Sequence, residues 1–133
     1  MRLIFIRHGD PDYEKDSLTE KGWKEAALLA ERAALWDISD IYCSPLGRAK
    51  ATASCFLEKS GRKAEVFDWL QEFPVKVFRE DLGRMKVPWD MKPSYWTKEE
   101  AYYDKDRWTE APLMKTAPVK EAYDKICSGI DQL

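Results

Sequence analysis

The sequence predicts an α/β fold with a mainly parallel sheet, and three observations carry that expectation. Three short apolar runs, at residues 3–6, 40–43 and 64–67, have the length and residue types of strands. Two longer stretches with helical spacing lie between them. Strand, helix, strand, helix, strand in this order asks for parallel pairing through right-handed crossovers.

Each element has a local reason. Leu3-Ile4-Phe5-Ile6 reads as a buried strand, and Gly9, Asp10 and Pro11 end it. A polar loop then runs to Leu18. Thr19 is placed to cap a helix reaching about residue 34, with Trp23, Ala27, Ala30 and Ala34 on one face. Asp40-Ile41-Tyr42-Cys43 is the second strand. Ser44 as cap and Pro45 at the first helical position open another helix, which runs to about residue 59 and stops at Gly61. Ala64-Glu65-Val66-Phe67 is the third strand. From residue 73 to 116 the alternation loosens, interrupted by Pro74, Pro88, Pro93 and Pro112. Within it Thr97-Lys98-Glu99-Glu100 has the form of a capping box and predicts a helix start. Over residues 118–132, Val119, Ala122, Tyr123, Ile126 and Ile130 recur at helical spacing. No strand follows that helix, although the alternation calls for one.

A chain of 133 residues is expected to form one domain with a real core. Its formal net charge of −2 offers no basic footprint for nucleic acid or an anionic membrane. No apolar stretch approaches a membrane span, and Met1-Arg2 leads straight into the first apolar run rather than into a signal segment. The three cysteines, Cys43, Cys55 and Cys127, fit neither a zinc spacing nor a disulfide framework. They read as reduced, small and buried side chains in a cytoplasmic protein.

The chemistry begins at Arg7-His8-Gly9. His8 is the only histidine, and it stands just after the first predicted strand, at the sheet edge where open α/β folds place their ligands. Imidazole is a nucleophile toward phosphorus, and a guanidinium such as that of Arg7 grips phosphate oxygens in pairs. Arg48 falls in the first turn of the second helix, where the helix dipole disfavours a cation. Its placement suggests an anionic ligand shared with the helix N–H groups; the plainer alternative is a solvated arginine. Glu72 follows the third strand among Trp69, Leu70 and Phe73. Apolar surroundings favour the neutral acid that can hand a proton to a leaving group, while a plain surface glutamate is the competing reading. Trp89, Tyr95, Trp96, Tyr102, Tyr103 and Trp108 either line a pocket for a bulky phosphate ester or form a secondary core, and the core is the better supported. Lys76, Arg79, Arg84 and Lys86 are interleaved with Glu80 and Asp81 and read as a solvated face.

Three motifs in order, Arg7-His8-Gly9, Leu18-Thr19-Glu20-Lys21-Gly22 and Ser44-Pro45-Leu46-Gly47-Arg48-Ala49-Lys50-Ala51-Thr52-Ala53, resemble those of the histidine phosphatase superfamily, the phosphoglycerate mutase-like family. The likeness is close over residues 1–72 and only general beyond. It implies a three-layer α/β/α fold with a mainly parallel sheet. It implies that His8 is the nucleophile that becomes phosphorylated and that Arg7 and Arg48 hold the phosphoryl oxygens. Gly9 and Asp10 join them in binding substrate, and Glu72 matches the family's proton donor. The substrate it implies is a small phosphorylated molecule or a phosphoprotein. No metal or other cofactor is expected.

Two departures qualify the resemblance. The family pocket holds a second histidine, and here His8 stands alone. Glu14 stands where mutase-type members commonly carry an asparagine. With the strand missing after residue 132, the expectation is a single domain over residues 1–133, incomplete at its C-terminal end, with 73–116 as a substrate-side insertion. A naturally shortened homologue is the alternative. An uncovered edge there would favour a homodimer. The leading functional expectation is a phosphohydrolase working through phosphohistidine on His8. A mutase-type phosphotransferase and a non-catalytic phosphate-binding protein remain as alternatives.

Overall fold

Small residues decide how the first half of the chain packs. In the computed structural model, which describes residues 2–133, Thr19 caps α1 (Glu20–Ala33), its hydroxyl oxygen accepting from the Gly22 N–H at 3.1 Å. The buried face of α1 is Gly22, Ala26, Ala30 and Ala33. That face is turned by one residue from the one the spacing predicts: Ala27 and Ala34 are exposed, and so is Trp23. The reason is close packing. α1 lies against α2 (Gly47–Ser60), and an alanine face lets two helix backbones approach where a tryptophan would hold them apart.

The predicted strands meet different fates. β3 (Tyr42–Cys43) and β4 (Glu65–Val66) pair in parallel, Tyr42 opposite Glu65 and Cys43 opposite Val66, with α2 as the crossover. This is the βαβ unit the alternation predicts. The run Leu3-Ile4-Phe5-Ile6 is neither a strand nor buried; Phe5 is 87% exposed. A strand exists through its ladder, and among the described residues none pairs with this segment. The expected loop before α1 is instead a small hairpin, β1 (Pro11–Asp12) antiparallel to β2 (Ser17–Leu18). Asp12 closes its turn by accepting from the Lys15 N–H.

α2 starts two residues later than expected. Ser44 does not cap it; Leu46 holds the cap position without a side-chain bond, and the Ser44 hydroxyl only accepts from the Leu46 N–H at 3.4 Å. The helix ends at Gly61 in the left-handed conformation, as predicted.

Residues to Gln71 form one compact unit and Glu72–Leu133 another. The second unit has its own apolar cluster of Val77, Met91, Ala111, Met114 and Val119. Phe73, Tyr95, Trp96, Tyr102 and Trp108 pack onto it, so four of the six singled-out aromatics serve a secondary core. Its regular elements are short: the antiparallel pair β5 (Val77–Arg79) and β6 (Arg84–Lys86), then α3 (Pro93–Trp96) and α4 (Val119–Ile130), joined by 3₁₀ turns. The predicted helix start at Thr97 is absent. Thr97 ends α3 instead, its hydroxyl donating to the Pro93 carbonyl. α4 matches its prediction, although Tyr123 and Ile130 on its expected apolar face are exposed. Arg79 is not part of a solvated face: it is 4% exposed, bound by both Asp81 oxygens and stacked on Tyr95. The structure is a mixed α/β one, and among the described residues no helix is long and apolar enough to cross a membrane.

Candidate functional site

The segment Arg7-His8-Gly9-Asp10 is fixed from two sides. On one side, the Gly9 N–H donates to the Thr52 hydroxyl at 3.0 Å, and that hydroxyl donates to the Arg48 carbonyl at 2.8 Å. Thr52 is 6% exposed, so both bonds lie in poorly solvated surroundings. On the other side, the Asp10 carbonyl accepts from the Thr19 N–H, its carboxylate accepts from the Thr19 hydroxyl at 2.6 Å, and its N–H donates to Glu25. Gly22 makes this second tether possible. A Cβ at that position would run into the Asp10 carbonyl oxygen. The segment therefore bridges the N-terminal parts of α1 and α2 and links Gly9 through Thr52 to the Arg48 backbone.

His8 is half-buried, and its Nδ1 lies 2.8 Å from the Gly9 carbonyl oxygen. A carbonyl only accepts, so Nδ1 carries the proton. In the neutral ring the lone pair is then on Nε2, which sets that nitrogen as the nucleophile or base. Arg7 beside it is exposed.

Arg48 corrects one expectation. The anion at the start of α2 is supplied by the chain itself: Asp16. Its Oδ2 accepts from the Gly47 N–H at 2.6 Å, and its Oδ1 from the Arg48 N–H at 3.4 Å and from Arg48 Nη1 at 2.8 Å. A carboxylate from a distant hairpin thus caps a helix whose own cap residue has no polar side chain. The Gly47 N–H, with the Arg48 guanidinium, holds the Asp16 carboxyl below the ordinary carboxylate range. The Arg48 side chain is 11% exposed, and its guanidinium lies over the Tyr13 ring, 5.5 Å from the centroid.

Glu72 opens the second unit and is exposed, so the expected desolvation by Trp69, Leu70 and Phe73 is not found. Phe67 and Trp69 stack on one another instead. Glu14 lies exposed in the β1–β2 turn. Among the described residues, no group of three or more His, Cys, Asp or Glu side chains is arranged to hold a metal ion. All three cysteines are free; Cys43 is buried, and burial pushes its thiol up.

Sequence reasoning missed Tyr13, Asp16 and Thr52. Asp16 left one signal: it is a non-glycine residue at φ +46°, a conformation that aspartate tolerates better than most. Thr52 sits in a motif already singled out, yet a buried threonine in a helix gives no sign of its partner.

Comparison with known proteins gives two findings. A model of the histidine phosphatase superfamily (branch 1) matches residues 3–129. A probable phosphatase of Schizosaccharomyces pombe is 36% identical over 67 residues, covering 44% of this chain and 32% of that protein. The chain therefore spans about a third of the length of the curated relative it matches.

Proposed function

The chain belongs to the histidine phosphatase superfamily, and from that premise we propose that it handles a phosphate monoester through a phosphohistidine on His8. The observation that carries this reading is the Nδ1–H bond to the Gly9 carbonyl, which leaves the Nε2 lone pair for phosphorus. In the first step a bond forms between Nε2 and phosphorus and the bond to the ester oxygen breaks. The departing oxygen takes a proton from an acid, for which Glu72 is the candidate by its place in the chain after β4. Water then attacks the phosphohistidine, giving inorganic phosphate and free His8.

The cations supply the stabilisation. Phosphoryl transfer spreads charge over three equatorial oxygens, so positioned donors do most of the catalytic work. Arg7 and Arg48 are the proposed donors, with Gly9 and Asp10 shaping the approach. A guanidinium presents its N–H groups in a planar fork, a donor set matched to phosphoryl oxygens. Family membership also supports a three-layer α/β/α arrangement for the whole protein, and its free thiols suit the proposed cytoplasmic setting. Small phosphate esters or phosphoproteins are the proposed substrates.

The test is direct. The purified protein is mixed with para-nitrophenyl phosphate, quenched in alkaline denaturant and mapped at high pH for phosphate that acid then releases. The expected result is one phosphorylated peptide containing His8, absent from His8→Ala. Phosphate release without labelled His8 would discard the mechanism. Phosphate binding without turnover would replace it with the non-catalytic reading.

A further inference from the structure

We propose that Asp16 is a positioning residue for phosphate binding, acting through Arg48. The inference rests on the phosphohistidine reading, since it gives Arg48 the task of holding phosphoryl oxygens. Three observations carry it. Both Asp16 oxygens are committed to the start of α2, one to the Gly47 N–H and the other to the Arg48 N–H and Nη1. The contact ties the guanidinium to the start of its own helix, because one carboxylate oxygen accepts from both the backbone N–H and Nη1 of Arg48. Finally, the hairpin must bend to deliver it. Asp16 takes a left-handed conformation at φ +46°, and Gly47 must be glycine, because a Cβ there would run into the Asp16 carbonyl oxygen. Backbone strain at one residue and an obligatory glycine at the other converge on a single contact.

Simple helix capping does not account for this arrangement. A cap needs one acceptor, which a serine beside a helix can supply, and here the Ser44 hydroxyl accepts from the Leu46 N–H instead. The Asp16 carboxylate reaches across 32 residues of sequence to bond Nη1 as well. Tyr13, from the same hairpin turn, lies over the guanidinium of Arg48. Carboxylate and ring together fix two directions of an otherwise flexible side chain. The hairpin thus holds a cation that would otherwise lose rotamer freedom each time phosphate binds. Of the other charged groups near the β1–β2 hairpin, Lys15 pairs with Asp12 and Lys21 with Asp10 and Glu25, while Glu14 is exposed in the turn.

The test uses vanadate affinity and steady-state kinetics with para-nitrophenyl phosphate on five proteins: wild type, Asp16→Asn, Asp16→Gly, Arg48→Met and the double variant Asp16→Asn with Arg48→Met. Asparagine keeps an acceptor for the Gly47 N–H and tolerates the left-handed conformation, so it preserves the cap while removing the charge. Glycine relieves the backbone and removes the side chain. The expected result is that both Asp16 variants keep a native circular dichroism spectrum and bind vanadate on the order of ten- to a hundred-fold more weakly, with the kinetic loss mainly in kcat. In the Arg48→Met background the Asp16→Asn change should have no further effect. Asp16→Asn matching wild type, with loss only in Asp16→Gly, would reduce Asp16 to a cap and overturn the proposal. Equal losses in both Arg48 backgrounds would overturn it too, as would tighter vanadate binding in Asp16→Asn, which would make Asp16 a competitor of phosphate. Wild type that binds no vanadate and forms no phosphohistidine would defeat the phosphohistidine reading and this inference together; an intact wild type with an indifferent Asp16→Asn defeats this inference alone.

Discussion

The two units of this chain are held together by different kinds of contact. The unit ending at Gln71 packs two 14-residue helices through glycine and alanine and pins its loops with part-buried polar bonds. The unit Glu72–Leu133 has little regular structure, yet it owns the apolar cluster built on Val77, Met114 and Val119, each fully buried. Alanine removes little area from water, so the first unit gains little from burial and much from geometry. Large side chains do the reverse: they stabilise a region whose backbone is mostly turns. The difference teaches where the chemistry belongs. Candidate phosphate-binding groups lie where the backbone is locked by directional bonds, and bulk apolar burial sits elsewhere.

The largest expected effect breaks the second unit. Met114 is fully buried within the cluster, and truncating it leaves a cavity. Met114→Ala should cost about 2–5 kcal/mol of unfolding free energy, measured by urea titration. A loss below about 1 kcal/mol would mean that the cluster collapses freely and does not act as a core.

The next effect falls on the first unit and separates the two kinds of contact. Thr52→Val keeps shape and removes the hydroxyl that links the Gly9 N–H to the Arg48 carbonyl. Leaving that part-buried donor unmet should cost about 1–3 kcal/mol. It should also slow phosphohistidine formation, which Met114→Ala at permissive temperature should leave closer to wild type. A Thr52→Val protein with full labelling of His8 would show that the tether shapes the fold alone. A smaller loss is expected for Gly22→Ala. Overpacking against the Asp10 carbonyl costs about 1–3 kcal/mol, and alanine returns about 1 kcal/mol of helix propensity. A net gain in stability in thermal unfolding would show that the Asp10 loop yields easily.

How much of this was legible in sequence follows the same division. The β3–α2–β4 unit and the Thr19 cap were readable because strand runs and caps are local signals. The motif residues His8, Gly9, Asp10 and Arg48 were readable by resemblance. The burial of residues 3–6 was misjudged because an apolar run states a preference for a partner and not that one is present. The register of α1 slipped by one residue because hydrophobicity was weighed above size, and Trp23 was assigned to a face that has room only for Gly22 and alanine. Asp16 was invisible for a deeper reason. Its role depends on two residues 32 positions apart meeting across a turn, and no periodicity encodes such a contact. The 3₁₀ turns of the second unit were unreadable because proline-rich segments settle by packing against a core that sequence does not order.

The smallest expected effect is a pH dependence, and it compares the units through one carboxylate in each. Asp16 is held below the ordinary carboxylate range chiefly by the Gly47 N–H, and Asp81 chiefly by its side-chain bonds to Arg79. A carboxyl whose value is lower in the folded state binds fewer protons there than in the unfolded chain. Its contribution to stability is therefore complete above the unfolded value, about 3.9, and declines as pH falls through the lower folded value. Stability should be flat from pH 7 down to about 5 as far as these groups are concerned, then fall in acid. Asp81→Asn should reduce the acid slope in urea titrations while lowering stability at neutral pH, since Arg79 stays buried without its charged partner. Asp16→Asn should reduce that slope by a similar proton count, yet only it should also weaken vanadate binding at pH 7. If Asp81→Asn weakened vanadate as strongly, the division of labour between a polar-tethered site and an apolar core would be wrong.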